Sequence, residues 1–170
     1  SKFRDKITLV YEEELLNTGV TILKNKSFFD KEPFFVVHAD NLSFCDFKEF
    51  IKKHKISQHP ITMMTFLTDN PSSCGIVELD EYGIVRNFFE KIKNPPTNLA
   101  NGAVYIFDSK IFDFLENLNK ERIDISTEVL PNFIGQIATF HNDVYHRDIG
   151  TIESYALSQV EILNINLDKI

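Results

Sequence analysis

The sequence predicts an α/β domain built on a mixed sheet, and three observations carry that expectation. The run Phe34-Phe35-Val36-Val37 has no polar interruption and reads as a strand buried on both faces, of the kind found in parallel sheets. Further apolar runs are interleaved with segments whose apolar residues recur at helical spacing. Gly75 to Phe88 alternates apolar and polar residues around a Gly-containing turn, which signals an antiparallel hairpin and makes the sheet mixed.

Taken in order, Lys6 to Tyr11 reads as a strand, and Leu15 to Gly19 as a loop in which Thr18 caps a helix reaching about Phe28. Pro33 ends that unit. Behind the strand Phe34 to Val37 stands Asp40, at the carboxyl end where open α/β sheets bind ligands. A helix cap or an Asx turn is the alternative for that carboxylate, and a second element must decide. From Asp46, the residues Phe47, Phe50, Ile51 and His54 recur at helical spacing with lysines on the opposite face. Ile61 to Leu67 is an apolar strand, followed by the breaker cluster Asp69 to Ser73. After the hairpin and the stiff loop Asn94 to Asn98, a strand is expected at Ala103 to Phe107. Helices are expected over Lys110 to Asn117 and, capped by Ser126, over Thr127 to Ile134. Short strands at Ile137 to Phe140 and Val144 to Arg147 precede a last helix from Ile152 to Leu163.

The chain of 170 residues is 43% hydrophobic, enough for a core, and is expected to form a single domain over residues 1–170. The 16 Phe supply much of that core in the absence of Trp. No segment approaches the roughly 20 apolar residues of a membrane span, and none resembles a signal peptide, so a soluble cytoplasmic protein is expected. The formal charge of -7 argues against a nucleic-acid surface. Cys45 and Cys74 lack ligand or disulfide spacing.

Six motifs together resemble the sugar-phosphate nucleotidyltransferases, most of all the mannose-1-phosphate guanylyltransferase-like branch, over nearly the whole chain. They are Leu16-Asn17-Thr18-Gly19, Ala39-Asp40, Cys74-Gly75-Ile76-Val77-Glu78, Phe89-Glu90-Lys91, Asn101-Gly102-Ala103-Val104-Tyr105 and Asp148-Ile149-Gly150-Thr151. The resemblance implies the nucleotide-diphospho-sugar transferase fold, a Rossmann-like mixed sheet flanked by helices. It implies a reaction joining a nucleoside triphosphate to a sugar 1-phosphate, with mannose 1-phosphate and GTP as the first expectation. Asp40 and Asp148 would hold a catalytic Mg2+, a hard cation that suits one or two carboxylates plus substrate phosphates. Gly75, Glu90, Lys91 and Asn101 would meet the sugar phosphate, and Leu16, Asn17, Thr18 and Gly19 the nucleotide. Read alone, Glu90-Lys91 is an exposed ion pair, Asn101 part of a turn and Gly75 strand punctuation. Arg147 either neutralises phosphate or pairs with Asp148.

One departure is large. The family opens on a strand and a glycine-rich G-x-G-T-R-L loop, and this chain contains neither that loop nor any G-x-G. The chain therefore reads as the later two-thirds of such a domain with its N-terminal strands missing, inactive by itself. The expectation is unpaired strand edges, and either a cleaved N-terminal segment that stays bound or a tendency to aggregate. Asn17 and Val20 stand where the family has smaller residues, which leaves the base open. The competing reading is a non-catalytic regulatory module that binds a sugar phosphate or nucleotide. A glycosyltransferase would place D-x-D after the strand, and Asp40-Asn41-Leu42 does not fit.

Overall fold

The computed structural model describes residues 3–29 and 31–165. A six-stranded sheet forms the centre, built from β1 (Phe34–Val37), β3 (Ile61–Leu67), β4 (Gly75–Leu79), β5 (Val85–Glu90), β6 (Leu99–Phe107) and β7 (Ile137–His141). Its strands run in the order β5-β4-β6-β3-β7, with β1 pairing the far half of β6. The β3–β7 pair is parallel and the remaining ladders are antiparallel, so the sheet is mixed as expected. A separate two-stranded ribbon joins β2 (Asn41–Phe44) to β8 (Tyr145–Asp148).

Helices cover both faces. On one face α1 (Asn17–Lys24), α3 (Ile111–Leu118) and the turns of residues 125–133 enclose the larger core around Tyr105, Phe107, Ile111 and Ile123. On the other, α2 (Phe47–Ser57) lies on a smaller cluster of Cys45, Phe50, Met64, Val104 and Ile106. The Asp46 carboxylate caps α2 by accepting from the backbone of Lys48 at 2.8 Å and Glu49 at 3.1 Å. Burial pushes the Cys45 thiol beneath it up to about 11, so it stays protonated and inert. The last helix, α4 (Ile152–Glu161), follows the ribbon. Among the described residues no helix is long and apolar enough to cross a membrane.

His54, on the buried face of α2, sits 2.8 Å from the Thr62 hydroxyl. Burial lowers its pKa below the ordinary 6.5, and Asp108 only partly opposes this. The unfolded chain therefore takes up the proton more readily than the folded one, so stability falls as pH drops below that ordinary value. Urea midpoints at about pH 7.5 and 5.5 are expected to show this fall, with a shallower fall for His54→Gln. Identical slopes would remove His54 as a cause.

Several local expectations change in tertiary context. Lys6 to Tyr11 is not a strand: its residues pair with no strand among the described residues, and Leu9 and Tyr11 are 91% and 86% exposed. Apolar β-formers make a strand only where a partner supplies the ladder. Thr18 does not cap a helix. It lies inside α1, where its hydroxyl accepts from Ile125 N at 3.3 Å, and the helix stops at Lys24 before a 3-10 turn at Lys26–Phe28. The strand Phe34 to Val37 is present but antiparallel and at an edge, with Val37 50% exposed. Thr127 to Ile134 is not an α-helix. A π turn at Ile125–Val129 runs into a 3-10 turn at Leu130–Phe133, and Asp124, not Ser126, caps it through Thr127 N at 2.9 Å. Pro131 lacks the amide that would continue an α-helix.

Candidate active site

Beyond β1 the chain turns at His38, whose carbonyl accepts from Asn41 N at 3.1 Å, and returns as β2. The ribbon register sets Asn41 opposite Asp148, which brings Asp40 to the same spot. Ile149 N donates to the Asp40 carbonyl at 2.7 Å, and Gly150 N to the Asp148 carboxylate at 2.8 Å. The two carboxylates flank Gly150: a Cβ there would lie 3.0 Å from Asp148 Oδ1 and 3.5 Å from Asp40 Oδ2. Both are exposed, and among the described residues neither enters an ion pair. Asp40 caps no helix.

Two adjacent, uncompensated carboxylates fit a divalent cation completed by water and phosphate oxygens. Among the described residues no group of three or more His, Cys, Asp or Glu stands where a dedicated protein cage would need it. A cation here would draw the rest of its shell from solvent or ligand.

A second group lies where β4, β5 and β6 meet. Gly75 pairs with Glu90 in register, and a Cβ on Gly75 would lie 2.8 Å from Glu90 Oε2 and 2.7 Å from the Phe88 ring. Its missing side chain makes room for the Glu90 carboxylate. Burial raises the Glu90 pKa, Lys91 opposes that rise and Asp124 adds to it. Lys91 Nζ is 3.8 Å from Glu90 Oε1, and its side chain remains 66% exposed. Asn101 is held internally: Nδ2 donates to the Tyr105 hydroxyl at 2.7 Å, and Oδ1 accepts from Ala103 N at 3.0 Å. Lys91 and Ala103 adopt φ of 49° and 50°. Left-handed backbone at such residues costs about 1–3 kcal/mol each and persists where surrounding structure over-determines it.

The third group divides. Asn17 and Thr18 line a cleft of about 400 Å3 between α1 and β1, together with Thr21, Val36 and His38. Leu16 instead packs against the larger core. Gly19 packs too: its N–H donates to the Ile123 carbonyl at 2.8 Å, and a Cβ would lie 2.6 Å from Ile123 Cγ2. The glycine thus serves the seating of α1, and its Cα is closed to a ligand.

The carboxylate ribbon is tied to the second group by Asn41, whose Nδ2 donates to the Gly102 carbonyl at 3.0 Å, beside Asn101. Sequence reasoning passed over Asn41 as well as His146. The His146 imidazole is 2.7 Å from the Ser43 hydroxyl and 4.3 Å, centroid to centroid, from the Phe66 ring. Burial pulls its pKa down to about 4 against the opposing charge of Asp148. Neither residue carries a spacing signal, because both act through contacts between segments far apart in the sequence. Arg147 takes neither expected role. Its guanidinium grips the Glu161 carboxylate with both ends, Nε donating at 2.6 Å, and so fastens α4 to β8. A further cleft of about 480 Å3, lined by Thr68, Cys74, His146, Asp148 and Thr151 among others, opens between the end of β3 and the start of α4.

This chain is similar to proteins of known activity. It is 30% identical over 144 residues to the mannose-1-phosphate guanylyltransferase catalytic subunit beta of Drosophila pseudoobscura pseudoobscura, covering 82% of this chain and 38% of that protein. It is 30% identical over 149 residues to a glucose-1-phosphate adenylyltransferase of Desulfitobacterium hafniense, covering 81% of this chain and 37% of the relative. The chain thus spans well under half of these relatives' length. A Bacillus anthracis structure described as a glucose-1-phosphate thymidylyltransferase in complex with sucrose superimposes with a TM-score of 0.80 at 17% identity, covering 94% of this chain and 67% of that one. That likeness shows the nucleotidyltransferase fold. The nucleotidyl transferase family profile matches residues 1–164, so the chain belongs to the nucleotidyl transferase family.

Proposed function

We propose that the protein containing this chain joins a nucleoside triphosphate to a sugar 1-phosphate, releasing pyrophosphate. The observation that carries this reading is the meeting of Asp40 and Asp148 at Gly150, with one cleft reaching His38 and another lined by Asp148 itself. A phosphate oxygen of the sugar 1-phosphate attacks the α-phosphorus of the triphosphate. The α–β phosphoanhydride bond breaks, and its electron pair leaves with pyrophosphate. No protein nucleophile is needed, and the chain's own work is positioning and charge placement.

Asp40 and Asp148 are proposed to hold Mg2+, which when bound offsets the phosphate charge that develops as the bond changes. Glu90 accepts from sugar hydroxyls, Lys91 pairs with the sugar phosphate, and Asn101 offers its remaining N–H. Asn17 and Thr18 face the nucleotide from the α1 cleft. Mannose 1-phosphate with GTP is the favoured pair, in line with the guanylyltransferase relative. The adenylyltransferase relative makes the base and sugar the quantities to measure. Pyrophosphate release by the full-length gene product, assayed against a panel of triphosphates and sugar 1-phosphates with Mg2+, tests the reading. Turnover strongest for mannose 1-phosphate with GTP is expected. Strongest turnover of another pair would correct the specificity, and none with any pair would reject the activity.

A further inference from the structure

Tyr105 lies beneath the second group of site residues, 1% exposed, its ring stacked on Phe107 at 5.3 Å and 8°. Stacking explains the ring and leaves the hydroxyl unexplained. A phenolic O–H is costly to bury unless it is hydrogen-bonded, and a Phe would fill the same space without that burden. Here the hydroxyl accepts from Asn101 Nδ2 at 2.7 Å, and it is close enough to Glu90 to feel its charge. It therefore ties two positions of β6 together beside two of the residues assigned to the sugar.

We infer that Tyr105 is a positioning residue for the sugar 1-phosphate: its hydroxyl, together with the Ala103 N–H, holds the Asn101 amide in one orientation, with one N–H and one Oδ1 lone pair left for the ligand. An asparagine amide otherwise rotates between orientations that exchange donor and acceptor. The Ala103 N–H can only donate and so selects the orientation, and the Tyr105 hydroxyl, accepting from Nδ2, holds the amide there. Ser126, from a turn whose local sequence shows no site motif, lies near the same hydroxyl. The inference rests on the nucleotidyltransferase reading and adds the device that orients one of its contacts.

The test uses full-length protein and the substrate pair that the wild type turns over best. Tyr105→Phe keeps the ring and removes the hydroxyl. Its KM for the sugar 1-phosphate is expected to rise about tenfold, the scale of one hydrogen bond, with the KM for the triphosphate changed less than about twofold. Adding Asn101→Ala to Tyr105→Phe is expected to cost little more than Asn101→Ala alone, because the pair acts as a unit. A Tyr105→Phe enzyme with unchanged KM, or with both KM values and kcat moved together, would overturn the inference and leave the activity standing. A wild type that turns over no pair would overturn the activity, and this inference with it. If Tyr105→Phe does not fold, Asn101→Ala carries the test: a rise in the same KM with the triphosphate KM held supports the inference, and no rise rejects it.

Discussion

Asp148→Asn, introduced into the full-length protein, is expected to lower Mg2+-dependent pyrophosphate release by about a thousandfold while the protein stays folded. The substitution isolates charge. Asp148 Oδ1 accepts from Gly150 N at 2.8 Å, and an asparagine oxygen still accepts that bond, so the turn between β8 and α4 keeps its shape. What is lost is half of the negative charge at the proposed cation site. Charge stabilisation by a bound metal is worth several kcal/mol, and each 1.36 kcal/mol is a tenfold change in rate. Asp40→Asn should behave alike, because its carboxylate shares the space beside Gly150. A second measurement separates binding from turnover: Mg2+ should raise the melting temperature of the wild type and not of either variant. Turnover near the wild-type rate in either variant would remove that residue from the cation site.

Phe50→Ala is expected to cost about 3–5 kcal/mol, the usual range for truncating a buried Phe, and to lower the melting temperature by about 10 °C. Phe50 is fully buried, stacked on Phe140 at 4.8 Å and 7°, and meets the edge of Phe35 at 5.5 Å and 84°. The cluster around it is small: Cys45, Met64, Val104 and Ile106, with Phe140 packed alongside. Few neighbours can move in to fill the space a ring leaves, so the cavity cost stays near the upper range. The effect reaches the site through chain connectivity, since α2 begins three residues after β2, the strand that follows Asp40. Urea unfolding monitored by circular dichroism reads the loss directly. A change below about 1 kcal/mol would show that α2 is held by something other than this aromatic stack.

Much of the architecture was legible in local sequence because the signals were strong and short-range. The helical spacing of Phe47, Phe50, Ile51 and His54 specified α2, and the alternation around Gly83, which adopts φ 77°, specified the β4–β5 hairpin. The Phe34 to Val37 run was found, but its placement was not. An uninterrupted apolar strand reads alike whether it lies between two neighbours or pairs with one, and only the ladder to β6 shows an antiparallel edge. The same holds for Lys6 to Tyr11, which has strand composition and no partner among the described residues. The strand Asn41–Phe44 was invisible because its ladder among the described residues is to β8, across most of the chain.

By itself the sequence determined the family, the residue types able to carry the chemistry, and the elements whose capping and periodicity are local. Tertiary structure alone decided which of those residues meet: Asp40 with Asp148 through ribbon register, Gly75 with Glu90 across a hairpin, Arg147 with Glu161 rather than with a carboxylate beside it. It also turned Leu16 and Gly19 inward as packing residues while leaving Asn17 and Thr18 on the cleft. The physical reason is that side-chain identity and local propensity are properties of short segments, whereas register and helix seating follow from burying apolar area over the whole sheet.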